Sequence, residues 1–264
     1  LYAILLLVVQ ILIALFYRIY CIRNFEECKY KFILDKKIAK SMISFSGWNL
    51  IANLSLTLNS QGVIIITNLF FGPLVVAAQT IVNQVNMAIM QFVNNFRTAI
   101  NPQIIKTYAI KEYEKSKNLT LSSTCYIYYL LLLISLPILL LANNILNLWL
   151  TSVPEYTVIF LQLIIIQNLI DSFGSSFYVP LMASGHIKGN SLSAVYVGCT
   201  RFVLVYVLFS KGFPPTTVLW VGILAYSFYS FLIKPYLLIK NVGYKWTDFT
   251  KVFLSCFKVT ALAI

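Results

Sequence analysis

Amides and hydroxyls recur at helical spacing inside long apolar runs of this chain, and two ionisable residues, Asp171 and Arg201, lie among them. Asn83, Asn86, Asn94 and Arg97 fall within about 60° of Gln79 on a helical wheel. Ile81, Val82, Val85, Ile89, Phe92, Val93 and Phe96 point the other way and form a lipid-like face. Asn49, Asn53, Ser60 and Thr67 make a second stripe about 40° wide. Gln167, Asn168, Asp171, Ser175 and Tyr178 make a third, within about 100°. Such groups both donate and accept hydrogen bonds, which matches the hydroxyls of a sugar. One or two amides, at roughly 1 kcal/mol each, serve helix packing. Three whole stripes exceed that need and point to a hydrated cavity. Its expected substrate-facing residues are Arg201, Asp171, Arg97, Gln79, Asn83, Asn94, Asn49, Asn53 and Gln167.

An arginine at mid-membrane costs about 2.5 kcal/mol or more, so Arg201 is expected to face a partner or a water-filled space. Asp171 lies about 18 Å along its helix from the same side on which Arg201 lies about 20 Å deep. The short segment 183–189 makes their helices antiparallel neighbours, and a direct or water-bridged Asp171–Arg201 pair follows as an expectation. Catalysis has little support, because Asp171 has no second acid or nucleophile nearby in sequence. No enzyme and no cofactor are expected. His186 stands alone in a short turn and the five cysteines form no C-x-x-C pair, so neither a metal site nor a disulfide framework is read. The cysteines read as reduced, structural thiols.

The elements that must position these residues are membrane helices. Apolar runs near 1–20, 44–70, 74–97, 119–142, 157–181, 190–210 and 216–239 each approach the roughly 20 residues that a spanning helix needs. The fold class is therefore all-α and integral to a membrane, with about seven crossings. Lysine and arginine then fix the orientation. Segments 18–40, 97–117, 183–189 and 234–258 hold eighteen of the twenty cations, against Lys211 on the other side and Arg201 inside a run. The basic face is cytoplasmic by the positive-inside rule. That rule also accounts for the net charge of +12, which in a soluble protein would suggest nucleic acid; no nucleic-acid partner is expected.

Residues 1–20 read as the last helix of a preceding lobe, 21–40 as a cytoplasmic linker containing Glu26, Glu27 and Asp35, 41–240 as a six-helix lobe, and 241–264 as a cytoplasmic segment leading into a further helix from Val252. The chain is expected to belong to a longer protein. Gly72-Pro73, Pro214-Pro215 and the Asn-rich stretch 142–156 carry turn signals for tight external connections. Pro137 predicts a kink, serving either packing or gating. Segment 97–118 suits either an amphipathic helix on the inner leaflet or the continued end of the preceding helix.

Several short stretches, in this order, resemble the Wzx-type oligosaccharide flippases of the multidrug/oligosaccharidyl-lipid/polysaccharide exporter superfamily. They are Phe45-Ser46-Gly47-Trp48-Asn49-Leu50, Asn68-Leu69-Phe70-Phe71-Gly72, Ala77-Ala78-Gln79 with Asn83-Gln84-Val85, Asn101-Pro102-Gln103-Ile104, and Leu169-Ile170-Asp171-Ser172 with Ala183-Ser184-Gly185-His186-Ile187-Lys188. The resemblance implies the second half of a two-lobe transporter of 12 to 14 helices that works by alternating access. It implies as cargo an oligosaccharide on undecaprenyl pyrophosphate, moved across the bacterial cytoplasmic membrane for O-antigen, capsule or another surface polymer. Proton or sodium is the implied coupling ion, and other polysaccharide-assembly proteins are implied partners. Arg201-Phe202-Val203 departs from the Asn-Leu-Pro common in relatives, which puts the usual helix break in doubt and favours an anionic cargo group.

Competing readings are a multidrug or cation antiporter, a lipid II flippase, a membrane polysaccharide polymerase and a non-transporting scaffold. A drug or cation pocket would be more acidic or aromatic, and a polymerase would carry a long external loop. The topology predicts that cysteines introduced near Pro73 and at Lys211 label from outside intact cells, whereas sites near Lys36, Lys111 and Lys245 do not. External labelling at Lys111 would reverse the orientation.

Overall fold

The computed structural model of the protein describes residues 2–25, 28 and 35–263. Glu26 and Glu27 of the expected linker lie outside them. The chain divides into two compact units, Leu1–Ile43 and Ser44–Ile264. In the first, α1 (Tyr2–Asn24) is apolar all round and none of its described side chains is buried, the pattern of a helix that hydrocarbon or another apolar surface must cover.

α2 (Lys36–Phe71) begins in the first unit and runs through the second until Gly72, whose φ of 78° turns the chain; Pro73 opens α3 (Pro73–Ala109), where its missing N–H and fixed φ cost nothing. α3 has 37 residues, about 55 Å, well beyond the hydrocarbon thickness of a bilayer. It continues without interruption through Arg97 and Pro102, so segment 97–118 opens as a helix end and is not a separate surface helix. Lys111, at φ 65°, makes the turn into α4 (Tyr113–Leu140). Pro137, the expected kink, falls inside the last turn of α4, which ends at Leu140.

The stretch expected as a loop holds α5 (Ala142–Trp149), whose Ala142 and Leu146 are buried while Leu148 and Trp149 are exposed. Next come α6 (Thr157–Ala183) and α7 (Ile187–Ser210), which is continuous through Arg201. α8 (Thr217–Phe228) passes through a π-helical turn (Tyr229–Ile233) into α9 (Lys234–Val242), and the three form one span. α10 (Trp246–Ala263) starts six residues before the expected Val252. Among the described residues, seven helical stretches are long and apolar enough to cross a membrane, and no strand is present. The protein is all-helical and of multi-pass membrane type.

α6 is the central helix, packed on α3, α4, α8 and α9. One core lies on its outer half, where Phe160, Leu161 and Ile165 meet Val82, Ile89 and Val93 of α3. The α3 face that reads as lipid-like is thus largely the face that packs on other helices; apolar periodicity marks burial without distinguishing lipid from protein. A second core stacks Phe173 on Tyr128 at 5.0 Å and sets it edge-on to Phe253 at 5.1 Å, which docks α10 on α4 and α6. Tyr128 and Thr260 hydroxyls bond at 2.7 Å, and Lys117 approaches Asp248 at 3.7 Å.

Gly174 lets α6 approach the π turn, since a Cβ there would lie 2.6 Å from the Ser230 hydroxyl oxygen. Gly174→Ala is therefore expected to cost about 1–3 kcal/mol, read as a lower midpoint of thermal unfolding in detergent. Adding Ser230→Ala, which removes the clashing oxygen, should recover most of the loss.

Candidate functional site

Lys234 anchors the site. It sits eight residues inside the Thr217–Val242 span, about 12 Å along the helix, and only 3% of it is exposed. The π turn puts it there. Its N–H donates to the Tyr229 carbonyl five residues back, so Lys234 follows Tyr229 on one face; in an α-helix that spacing would set them roughly 140° apart. The ammonium lies 4.9 Å from the ring centroids of both Tyr229 and, across from α6, Tyr178. Desolvated cation–π contacts of this kind are worth about 2 kcal/mol and offset part of the cost of burial.

Each tyrosine is held in turn. Tyr229 donates to Asn190 Oδ1 of α7 at 3.0 Å, and Tyr178 donates to Asn49 Oδ1 of α2 at 3.0 Å. These groups wall a cavity of about 340 Å³ together with Asn53, Asp171, Ser175 and Tyr226. The Asp171 carboxylate accepts from Ser175 Oγ at 2.8 Å and exerts its attraction on Lys234 and Arg97.

Arg201 occupies a smaller, adjoining cavity of about 40 Å³, which shares Ala194, Tyr226 and Tyr229 as walls with the larger one. Its Nη1 donates to Asn59 Oδ1 at 3.2 Å, and its guanidinium carbon lies 5.8 Å from the Tyr226 ring. Gly222 of α8 leaves room for Gln167 Oε1 and for Arg201 Nη2, which stands 3.3 Å from where a Cβ would be.

Asp171 and Arg201 form no direct ion pair. Arg201 bonds to Asn59 instead. Equal depth on antiparallel helices is not equal direction: Asp171 lines the larger cavity with Lys234, and Arg201 lines the smaller one.

Of the nine residues expected in the cavity, Asn49, Asn53 and Asp171 line the larger space, Arg201 lines the smaller one, and Gln167 reaches the Gly222 gap beside Arg201. Gln79, Asn83, Asn94 and Arg97 line neither. They lie along α3, with Asn94 exposed and accepting a 3.5 Å contact from Arg97, while Asn86 bonds to Asn168 of α6. Buried polar atoms without partners nevertheless fall on Gln79, Arg97, Gln167 and Arg201. An unmet group of this kind costs about 1–3 kcal/mol, and the same holds for the hydroxyls of Ser230 and Tyr244.

Lys234, Tyr226, Tyr229, Asn190 and Asn59 escape the sequence reading. Lys234 is grouped there with the basic loop although the apolar run extends to 239, and that overlap is the signal that could have placed it inside. Chemically, the two neighbouring cavities present amides, phenols and two cations against one carboxylate, an environment suited to a hydroxyl-rich, anionic ligand. Compared with known proteins, the chain matches no family model, no curated protein and no solved structure.

Asp171→Asn is expected to lower stability by about 1–3 kcal/mol, because it removes the negative charge nearest a buried ammonium. A second change, Lys234→Met, should restore most of that loss, and Arg201→Gln should not. Thermal unfolding of the double-mutant cycles decides it, and rescue by Arg201→Gln would mean that the carboxylate serves Arg201 after all.

Proposed function

We propose that this chain forms the second lobe of a transporter that moves oligosaccharides linked to undecaprenyl pyrophosphate across the bacterial cytoplasmic membrane by alternating access, for assembly of O-antigen or another surface polysaccharide. The observation that carries the reading is the placement of two cations on separate helices, buried Lys234 and partly buried Arg201, on two neighbouring cavities that share Ala194, Tyr226 and Tyr229 as walls. Intramembrane cations mark ion or substrate paths because their cost is otherwise uncompensated. A pyrophosphate or sugar acid supplies the missing negative charge, and the asparagines and tyrosines supply donors and acceptors for sugar hydroxyls. Asp171, beside Lys234, is the group that takes a coupling proton or sodium ion and thereby changes the attraction felt by the cargo. Translocation breaks no covalent bond, so the residues act by binding and release.

A drug or cation antiporter of the same superfamily fits less well, since a cationic substrate would be repelled by two ammonium-type charges against one carboxylate. Lipid II shares the carrier chemistry and remains within the same cargo class.

Lys234→Gln and Arg201→Gln should each lower surface glycan by about tenfold or more, equivalent to about 1.4 kcal/mol of lost interaction, while lipid-linked precursor accumulates at unchanged protein abundance. Glycan labelling of intact cells, with quantitation of the extracted precursor, measures both. Normal export in both variants would sink the reading.

A further inference from the structure

We infer that the groove between α2 and α7 takes the isoprenoid chain of the lipid-linked cargo, with the anionic head turned inward to Arg201; this rests on the transport reading above.

The two helices are fastened near both ends of their contact. Lys188 lies 5.1 Å over the Trp48 ring at one end, and Phe71 meets Phe209 edge-on at 4.8 Å at the other. Between these points they meet through glycines. A Cβ on Gly198 would lie 3.3 Å from Ser55 Oγ, and one on Gly62 would lie 2.7 Å from the Phe202 ring. Beside this contact runs a groove of about 590 Å³ walled by Ile51, Leu54, Cys199, Phe202 and Val203. Its apolar rim is open, with Ile51 46% and Val203 57% exposed.

One side of the groove differs from a plain lipid-facing furrow. Asn59 and Gly198 wall both the groove and the Arg201 cavity. Asn59 donates to the Gly198 carbonyl at 2.6 Å and accepts from Arg201 at 3.2 Å, so this amide, with Gly198, stands between the groove and a guanidinium whose buried Nε has no partner. An occupant complementary to both spaces is apolar along its length and negatively charged at one end. A neutral lipid would leave the guanidinium without a counter-charge, whereas a chain ending in pyrophosphate supplies one across Asn59.

The test uses the full chain in phosphatidylcholine vesicles containing diazirine-tagged undecaprenyl pyrophosphate, with cross-links mapped by mass spectrometry. Label is expected on residues 51–62 of α2 and 195–203 of α7, displaced by unlabelled undecaprenyl pyrophosphate and not by an equal mole fraction of phosphatidylglycerol. Val203→Trp and, from the opposite wall, Leu54→Trp should each cut the label at least fivefold, and one folded variant suffices. Equal displacement by phosphatidylglycerol would reduce the groove to a general lipid contact and overturn the inference. So would absence of label there, including the case in which another protein segment or a second copy covers the groove. If the groove is unlabelled while Lys234→Gln still abolishes export, the inference fails and the transport reading stands. Specific labelling with export intact in the Lys234 and Arg201 variants would leave a lipid-binding groove and remove the transport reading.

Discussion

Holding a lysine ammonium inside a membrane-spanning helix costs several kcal/mol, and the architecture around Lys234 is organised by that cost. Two tyrosine faces, a nearby carboxylate and a π turn that aims the side chain inward each lower it, and none suffices alone. The tyrosines are in place because asparagines on α2 and α7 hold their hydroxyls. Removing one member therefore disturbs contacts among four helical segments. This mutual dependence is typical of buried polar networks, which specify one arrangement when satisfied and destabilise the fold when half satisfied.

Close helix approach makes the network reachable. Gly174 brings α6 against the π turn, Gly222 admits Gln167 and Arg201 beside α8, and Gly198 brings α7 to α2. In a bilayer, where hydrocarbon offers no hydrophobic drive between helices, small residues and polar contacts supply the association. The Phe173 and Phe177 cluster plays the complementary part: it packs α10 and α4 around one half of α6, while the polar side of α6 faces the cavity.

The placement of charge bears directly on mechanism. In the proposed reading, a site with two cations and one carboxylate binds an anion most strongly when the carboxylate is neutralised, so a proton or sodium ion at Asp171 would favour anionic cargo at Lys234 and Arg201 through Coulomb interaction alone. The coupling proposed here needs no long-range pathway. The inferred occupancy of the α2–α7 groove would add a lateral approach by which an amphiphile reaches Arg201 without its chain leaving an apolar surround.

The sequence by itself determined the class, the seven spans, the alternation of basic segments and the polar character of α2, α3 and α6, because span length, hydropathy and wheel position are local properties. Asn49, Asn53, Asp171 and Arg201 were legible as intramembrane polar residues for the same reason. Which of them meet was decided by tertiary structure. Asp171 shares its cavity with Lys234 and not with Arg201, and the lipid-like face of α3 became a packing face, because apolar periodicity is the same whether the neighbour is a fatty chain or a leucine. Lys234 remained hidden since its direction depends on a π turn, and one i→i+5 bond leaves no mark in residue composition. The helix Ala142–Trp149 emerged where asparagines signal turns, since buried Ala142 and Leu146 outweigh local preference once α4 and α6 provide a surface to pack on.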